Sequence, residues 1–296
     1  MLHQEYQALV IGPGREKGMV MVGMLEELKK ITNLDKLEAM SGSSIGSMIV
    51  LLLALGHTPD EIFKIGLEKE LLDGIPKSDS IIEQGFILLD KYMSDFGLID
   101  IKQVTKDVEK YIKAKCKNKI PTMQELYEQT GIELHFSTMN VTETELEDLN
   151  HMTHPTLSCL KAIQMSCRIP FIFTKCDYRG CTYMDACHID PFPIKCVDNG
   201  KRNILCLSVR GNMSKCGNPM VDHYIDIFNC MLYIPSKKAR EEIVDARITI
   251  IEKEVEDDLF ITDSQKMNFY LAGKNLIIEN FSLTKIGEEV TTLKLL

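Results

Sequence analysis

The sequence predicts an α/β protein in three layers, a mostly parallel central sheet with helices on both faces. Three observations carry that prediction. Short apolar strands alternate with helical segments along the chain, and a Gly-rich loop joins the first strand to the first helix. A second strand runs through Gly42-Ser43-Ser44-Ile45-Gly46 into an apolar helix. Strands alternating with helices pack best as parallel strands joined by crossover helices.

Gln7 to Ile11 reads as a buried strand, followed by Gly12-Pro13-Gly14-Arg15-Glu16-Lys17-Gly18 and a helix from about Met19 to Ile31. Met21, Met24, Leu25 and Leu28 recur at helical spacing there. Neither the dinucleotide fingerprint nor the P-loop pattern fits, because Lys17 stands where each needs a glycine. The loop can still present backbone N–H groups at a helix N-terminus, which suits an oxyanion. Leu37 to Met40 forms a short strand, and Ile45 to Leu55 a helix stopped by Gly56. Thr58 then caps a helix that has Pro59 at its first position and acids in its first turn.

Residues 72–98 are less regular and contain Phe86-Ile87-Leu88-Leu89. That run reads either as the stripe of a core helix or as a contact or cover at a membrane surface. Helices are expected over Asp100–Cys116 and Thr122–Thr130, then a strand over Glu133–Val141 and a loop or hairpin over Thr142–Pro155. A helix over Leu157–Ser166 precedes a strand over Cys181–Met184 with Asp185 at its end. Asn203–Val209 is a strand, Pro219–Ile234 a helix, Arg247–Glu252 an edge strand and Ser264–Phe281 the last helix. With no internal repeat or linker, one domain is expected over residues 1–296, its motif-bearing core at 7–200 and further strands and helices at 201–296.

Composition narrows the function. A net charge of −9 argues against nucleic-acid binding and against a polybasic anchor on anionic lipid. No apolar stretch is long enough to span a bilayer, and the N-terminus lacks a basic segment followed by an apolar one. The expected location is therefore cytoplasmic, or peripheral with transient contact at a membrane surface. The ten cysteines form no C-x-x-C pair and no spacing typical of structural zinc. Free buried thiols are expected, with no metal and no cofactor.

The chemistry centres on Ser44. A G-x-S-x-G pentapeptide between strand and helix lifts a serine hydroxyl on a sharp turn, with Gly42 and Gly46 present because Cβ atoms would crowd it. Such a hydroxyl needs a base. Of seven histidines only His188 and His223 follow a plausible acid in the Ser…Asp…His order, and neither has the context of a catalytic loop. The alternative is direct proton transfer to an aspartate at a strand end, for which Asp185 is placed.

Three blocks then resemble the patatin-like phospholipase family, in versions found in large DNA viruses and some bacteria. They are the loop ending in Lys17-Gly18, the stretch Ser41 to Ile62, and Ser158 to Pro193 with Ala162-Ile163, Ser166, Pro170 to Phe173, Tyr183 and Asp185. The resemblance implies a patatin-like fold and a serine acyl hydrolase of phospholipase A type acting on lipid acyl esters. It carries a Ser–Asp dyad onto Ser44 and Asp185, and an oxyanion hole onto Gly14 and Lys17-Gly18 with Gly12 in support. Two departures keep a second reading open, that of a catalytically impaired lipid- or partner-binding protein. Pro13 has no N–H to donate, and Ala186 replaces a glycine whose turn an alanine would strain at positive φ.

Overall fold

The computed structural model describes residues 5–68, 90–211, 214–215, 217, 219–256 and 261–281. The Phe86–Leu89 run lies outside them, so its reading as core or cover has no structural counterpart here. The described elements run in the order β1 (Ala8–Ile11), a 3-10 turn (Arg15–Lys17), α1 (Gly18–Leu28), β2 (Ala39–Ser43), α2 (Ile45–Ala54) and α3 (Pro59–Leu67). There follow β3 (Gly97–Ile99), α4 (Ile101–Lys115), α5 (Met123–Thr130), β4 (Glu133–Asn140), β5 (Glu145–Leu149) and α6 (Cys159–Ser166). The chain continues with β6 (Phe171–Phe173), β7 (Cys176–Tyr178), β8 (Cys181–Asp185), β9 (Ile204–Arg210), α7 (Pro219–Glu242), β10 (Ile248–Glu254) and α8 (Asp263–Phe281).

The main sheet has the order β10-β9-β1-β2-β4-β8-β7, with β5 paired to β4, while β3 and β6 form a separate parallel pair. The strands from β10 to β4 are mutually parallel. Alternate residues serve two cores, as expected of a sheet covered on both faces. Leu9, Ile11, Met40, Phe136 and Leu207 face the larger core with α1, α2 and α6. Ala8, Val10, Ala39, Ile204 and Cys206 face a smaller one closed by Phe192, Ile194 and Val197, with Ala239 and Ile243 packed against it. The three-layer α/β/α expectation holds. From β1 the chain moves to β2 on one side and later returns through β9 on the other. A crevice therefore opens beyond the carboxyl ends of β1 and its neighbours, where α/β sheets place ligands.

Local rules explain most boundaries. Thr58 and Thr122 each close a reciprocal capping box with Glu61 and Glu125, and Gly131 ends α5 in the left-handed conformation. Two readings change, and one open alternative is settled. The second strand lies at Ala39–Ser43 rather than Leu37–Met40, because pairing with β1 and β4 on both edges recruits Ser41-Gly42-Ser43 despite their weak strand preference. The 142–155 stretch resolves as a hairpin strand, β5, on β4. Helix α7 continues past Pro235 to Glu242, although an interior proline removes an N–H from the ladder and crowds the carbonyl four residues before it. The short strands β3, β6 and β7 are not legible in the sequence pattern.

Candidate active site

Strand β4 acts as the ruler of the site. Residues Phe136 to Asn140 pair with β5 along one edge. The opposite edge is shared, since β2 takes Glu133 to Ser137 and the antiparallel β8 takes Thr138 to Asn140. Ser43 is thus level with Ser137 and Asp185 with the next residue, Thr138. The ends of β2 and β8 meet head-on, which sets Ser44 beside Asp185.

Ser44 has φ 57° and ψ −129°, a conformation that costs about 1–3 kcal/mol for a residue with a side chain. The surrounding packing enforces it. A Cβ on Gly42 would lie 2.4 Å from the backbone of Gly46 and Ser47, and one on Gly46 would lie 2.1 Å from the Ile11 carbonyl oxygen. The elbow is pressed against the end of β1 with no room for methyl groups. Gly46→Ala is accordingly expected to destabilise the fold by about 3 kcal/mol or more, read as a fall in the urea midpoint. An unchanged midpoint would mean that the Ile11–Gly12 backbone can retreat.

Three consecutive residues at the end of α6 clip both members of the pair. The Ser166 hydroxyl accepts from the Ser44 N–H at 3.2 Å and donates to the Ser137 carbonyl at 2.8 Å. The Cys167 thiol donates to the Ser44 carbonyl at 3.0 Å, beside the Ser47 hydroxyl at 2.6 Å from the same oxygen. The Arg168 carbonyl accepts the Asp185 N–H at 2.8 Å. Ser166 stood in the sequence pattern; that its neighbours grip the elbow and the aspartate did not.

Asp185 is fully buried. Burial pushes its carboxyl up to about 6, opposed by the Ser44 hydroxyl and by the Cys187 N–H, which donates to Oδ1 at 2.8 Å. Its Oδ2 has no hydrogen bond of ordinary length to the protein. The Ser44 hydroxyl is the side chain that most opposes this rise, so hydroxyl and carboxyl face each other.

The Gly-rich loop divides its tasks. The Gly12 N–H is committed to the Leu207 carbonyl at 2.9 Å, the Gly18 N–H to the carbonyls of Arg15 and Glu16, and the buried Lys17 ammonium to the Gly211 carbonyl at 2.9 Å. The Gly12 and Lys17 contacts fasten the loop to β9 and the residue after it. Gly14 and the turn that begins the helical segment are its remaining part, and Arg15 and Glu16 line one cavity with Ser44.

That cavity encloses about 500 Å³. Met19, Met48, Ile99, Ile169, Ile172 and Phe173 give it an apolar wall, and Gln103, Lys106, Asp107 and Lys110 of α4 a polar one. Among the described residues no histidine lines it, neither His188 nor His223, which is exposed on α7. The nine described cysteines are all free thiols.

A model of patatin-like phospholipases matches residues 9–197. The chain belongs to the patatin-like phospholipase family. It is 30% identical over 194 residues to a probable lipid hydrolase, 463L, of Invertebrate iridescent virus 6, a match covering 64% of this chain and 62% of the relative. It is also 26% identical over 192 residues to an uncharacterized protein, R571, of Acanthamoeba polyphaga mimivirus, covering 64% of this chain and 61% of that one. The matches therefore span about three-fifths of the length of these viral relatives. VipD from Legionella pneumophila shares the fold, with a TM-score of 0.52 and 18% identity over 93% of this chain and 66% of its own.

Of this patatin-like chain's two departures from the family pattern, one is harmless by geometry. Ala186 is not among the residues at positive φ, so the missing glycine strains nothing. Instead Ala186 is buried, and its carbonyl accepts the N–H groups of Ile189 and Asp190, each at 2.8 Å. Further anchors hold the segment after Asp185 against the sheet: Ser41 donates to the Pro193 carbonyl at 2.8 Å and Ser137 to Asp190 at 3.0 Å.

Proposed function

We propose that this protein is a lipid acyl hydrolase of phospholipase A type, working through a Ser44–Asp185 dyad. One observation carries the reading: a serine held on a strained elbow lies beside a buried carboxyl and opens into an apolar cavity of about 500 Å³. In the proposed reaction Ser44 Oγ attacks the ester carbonyl while Asp185 takes its proton. The oxyanion is held by N–H groups at Gly14 and the helical N-terminus after it. Asp185 returns the proton to the departing alcohol, leaving an acyl-Ser44. Water then attacks the acyl carbon with Asp185 again as base, releasing fatty acid and restoring the hydroxyl. An aspartate titrating at about 6 is ionised at neutral pH yet more basic than an exposed one, which suits both roles.

The apolar wall supports a lipid acyl chain as the group bound, and the viral relative named a probable lipid hydrolase points to the same class. The test is a panel of defined glycerophospholipids, galactolipids and acylglycerols, with products identified by mass spectrometry. Fatty acid with its matching lysolipid is expected from at least one class. Release from short soluble esters alone would remove lipid as the substrate class.

A further inference from the structure

The net charge of −9 conceals a strongly basic element. Residues 101–119, helix α4 and the turn after it, hold seven lysines against two acids. At roughly 100° per residue, the buried Ile101, Thr105, Val108 and Ile112 make the inner side of α4. Lys102, Lys106, Lys110 and Lys113 fall together within roughly 80° on a side turned away from it. Lys110 and Lys113 pair with Asp107 and Glu109 of the same helix, whereas Lys102 and Lys106 enter no ion pair among the described residues.

The stripe borders the catalytic cavity, because Lys106, Lys110 and the intervening Asp107 belong to the same wall system as Ser44. Two large apolar side chains stand out from the surface just before the helix, Met93 at 69% and Phe96 at 59% exposure. Phe96 is held there at φ 58°, with its carbonyl accepting from Arg168 at 3.5 Å. A cationic stripe, exposed apolar groups and the rim of an acyl-chain cavity share one region.

We propose that this region, Lys102, Lys106, Lys110 and Lys113 with Met93 and Phe96, docks on an anionic lipid bilayer and turns the cavity rim toward it. Total charge does not oppose this. Potentials at a membrane fade over about 8 Å at physiological ionic strength, so the local stripe is felt and the acids on the far side are not. A polynucleotide would satisfy the lysines but would have no use for Met93, Phe96 or the cavity they approach. That docking delivers substrate rests on the hydrolase reading above; the docking itself does not, and it is measurable without turnover.

The experiment uses the full chain carrying Ser44→Ala and co-flotation with vesicles of phosphatidylcholine, alone or mixed with phosphatidylserine. Binding is expected only to the mixed vesicles and is expected to weaken with added salt. Adding Lys102→Glu and Lys113→Glu, neither in the cavity wall, should weaken it about 25-fold or more, taking about fivefold for each basic residue near the surface. A control pair, Lys36→Glu with Lys201→Glu, makes the same charge change at the exposed opposite end of the sheet and should bind like the parent. Lys102→Gln with Lys113→Gln should fall between the two, and Phe96→Ser should weaken binding without altering its salt dependence. Equal loss in the stripe and control pairs would overturn the proposal. So would equal binding to both vesicle types, or tighter binding to RNA than to mixed vesicles. Absence of turnover on every lipid, with docking intact, would overturn only the hydrolase reading.

Discussion

Ser44→Ala is expected to lower kcat on any cleaved ester by about 10⁴-fold or more, the scale set by removing the nucleophile from an acyl-transfer site. Labelling by a fluorophosphonate probe should disappear with it. The fold should survive unchanged, because alanine suffers the same strain at φ 57° and the backbone bonds to Ser166, Cys167 and Ser47 do not involve the lost hydroxyl. Ser44→Gly separates chemistry from strain. It should be as inactive, yet about 1 kcal/mol more stable, since only glycine occupies that region freely. Thermal unfolding beside the rate assay tests both halves. Persistent labelling of Ser44→Ala would place the nucleophile elsewhere.

Asp185→Asn should cost about 10³-fold or more in kcat and still yield the more stable protein above neutrality. The sign follows from burial, which lifts the folded-state pKa to about 6, above the ~3.9 of an unfolded chain. Below about pH 4 the carboxyl is protonated in both states and costs little. As pH rises toward 6 the unfolded chain gives up its proton while the folded one retains it, and stability falls. Above 6 the buried charge is fully present, at a cost of about 3 kcal/mol. Asparagine carries no such charge and can still accept from the Cys187 N–H. Its melting temperature should exceed wild type at pH 8 and match it near pH 4. The same ionisation should appear in wild-type turnover as a rise through about pH 6, because the base acts only when deprotonated. A flat pH–rate profile with an Asp185→Asn enzyme of near-normal activity would remove Asp185 from the mechanism.

The acidic total charge illustrates how a sum can mislead where a placement decides. Read along the chain, the lysines of residues 101–119 are diluted by an excess of acids elsewhere. Folded into α4, four of them share one side of a helix whose edge forms the cavity wall. The elbow differs, being local. Gly42, Ser44 and Gly46 lie within five residues, so the sharp turn and its glycines are legible from sequence, as are the capping boxes at Thr58 and Thr122.

By itself, then, the sequence determined the serine elbow, the alternation of strands and helices, the strand end carrying Asp185 and the family, because each depends on short-range pattern or motif. Tertiary structure alone decided how Asp185 comes to stand beside Ser44. The level pairing of Ser43 and Asp185 on adjacent positions of β4, the clip of Ser166, Cys167 and Arg168, and the cavity between α4 and the β3–β6 pair all join segments distant along the chain. A strand pattern names a side chain's face but not its partner strand or register. Only the closed sheet brings the hydroxyl to the carboxyl, and only burial within it raises that carboxyl's affinity for the proton.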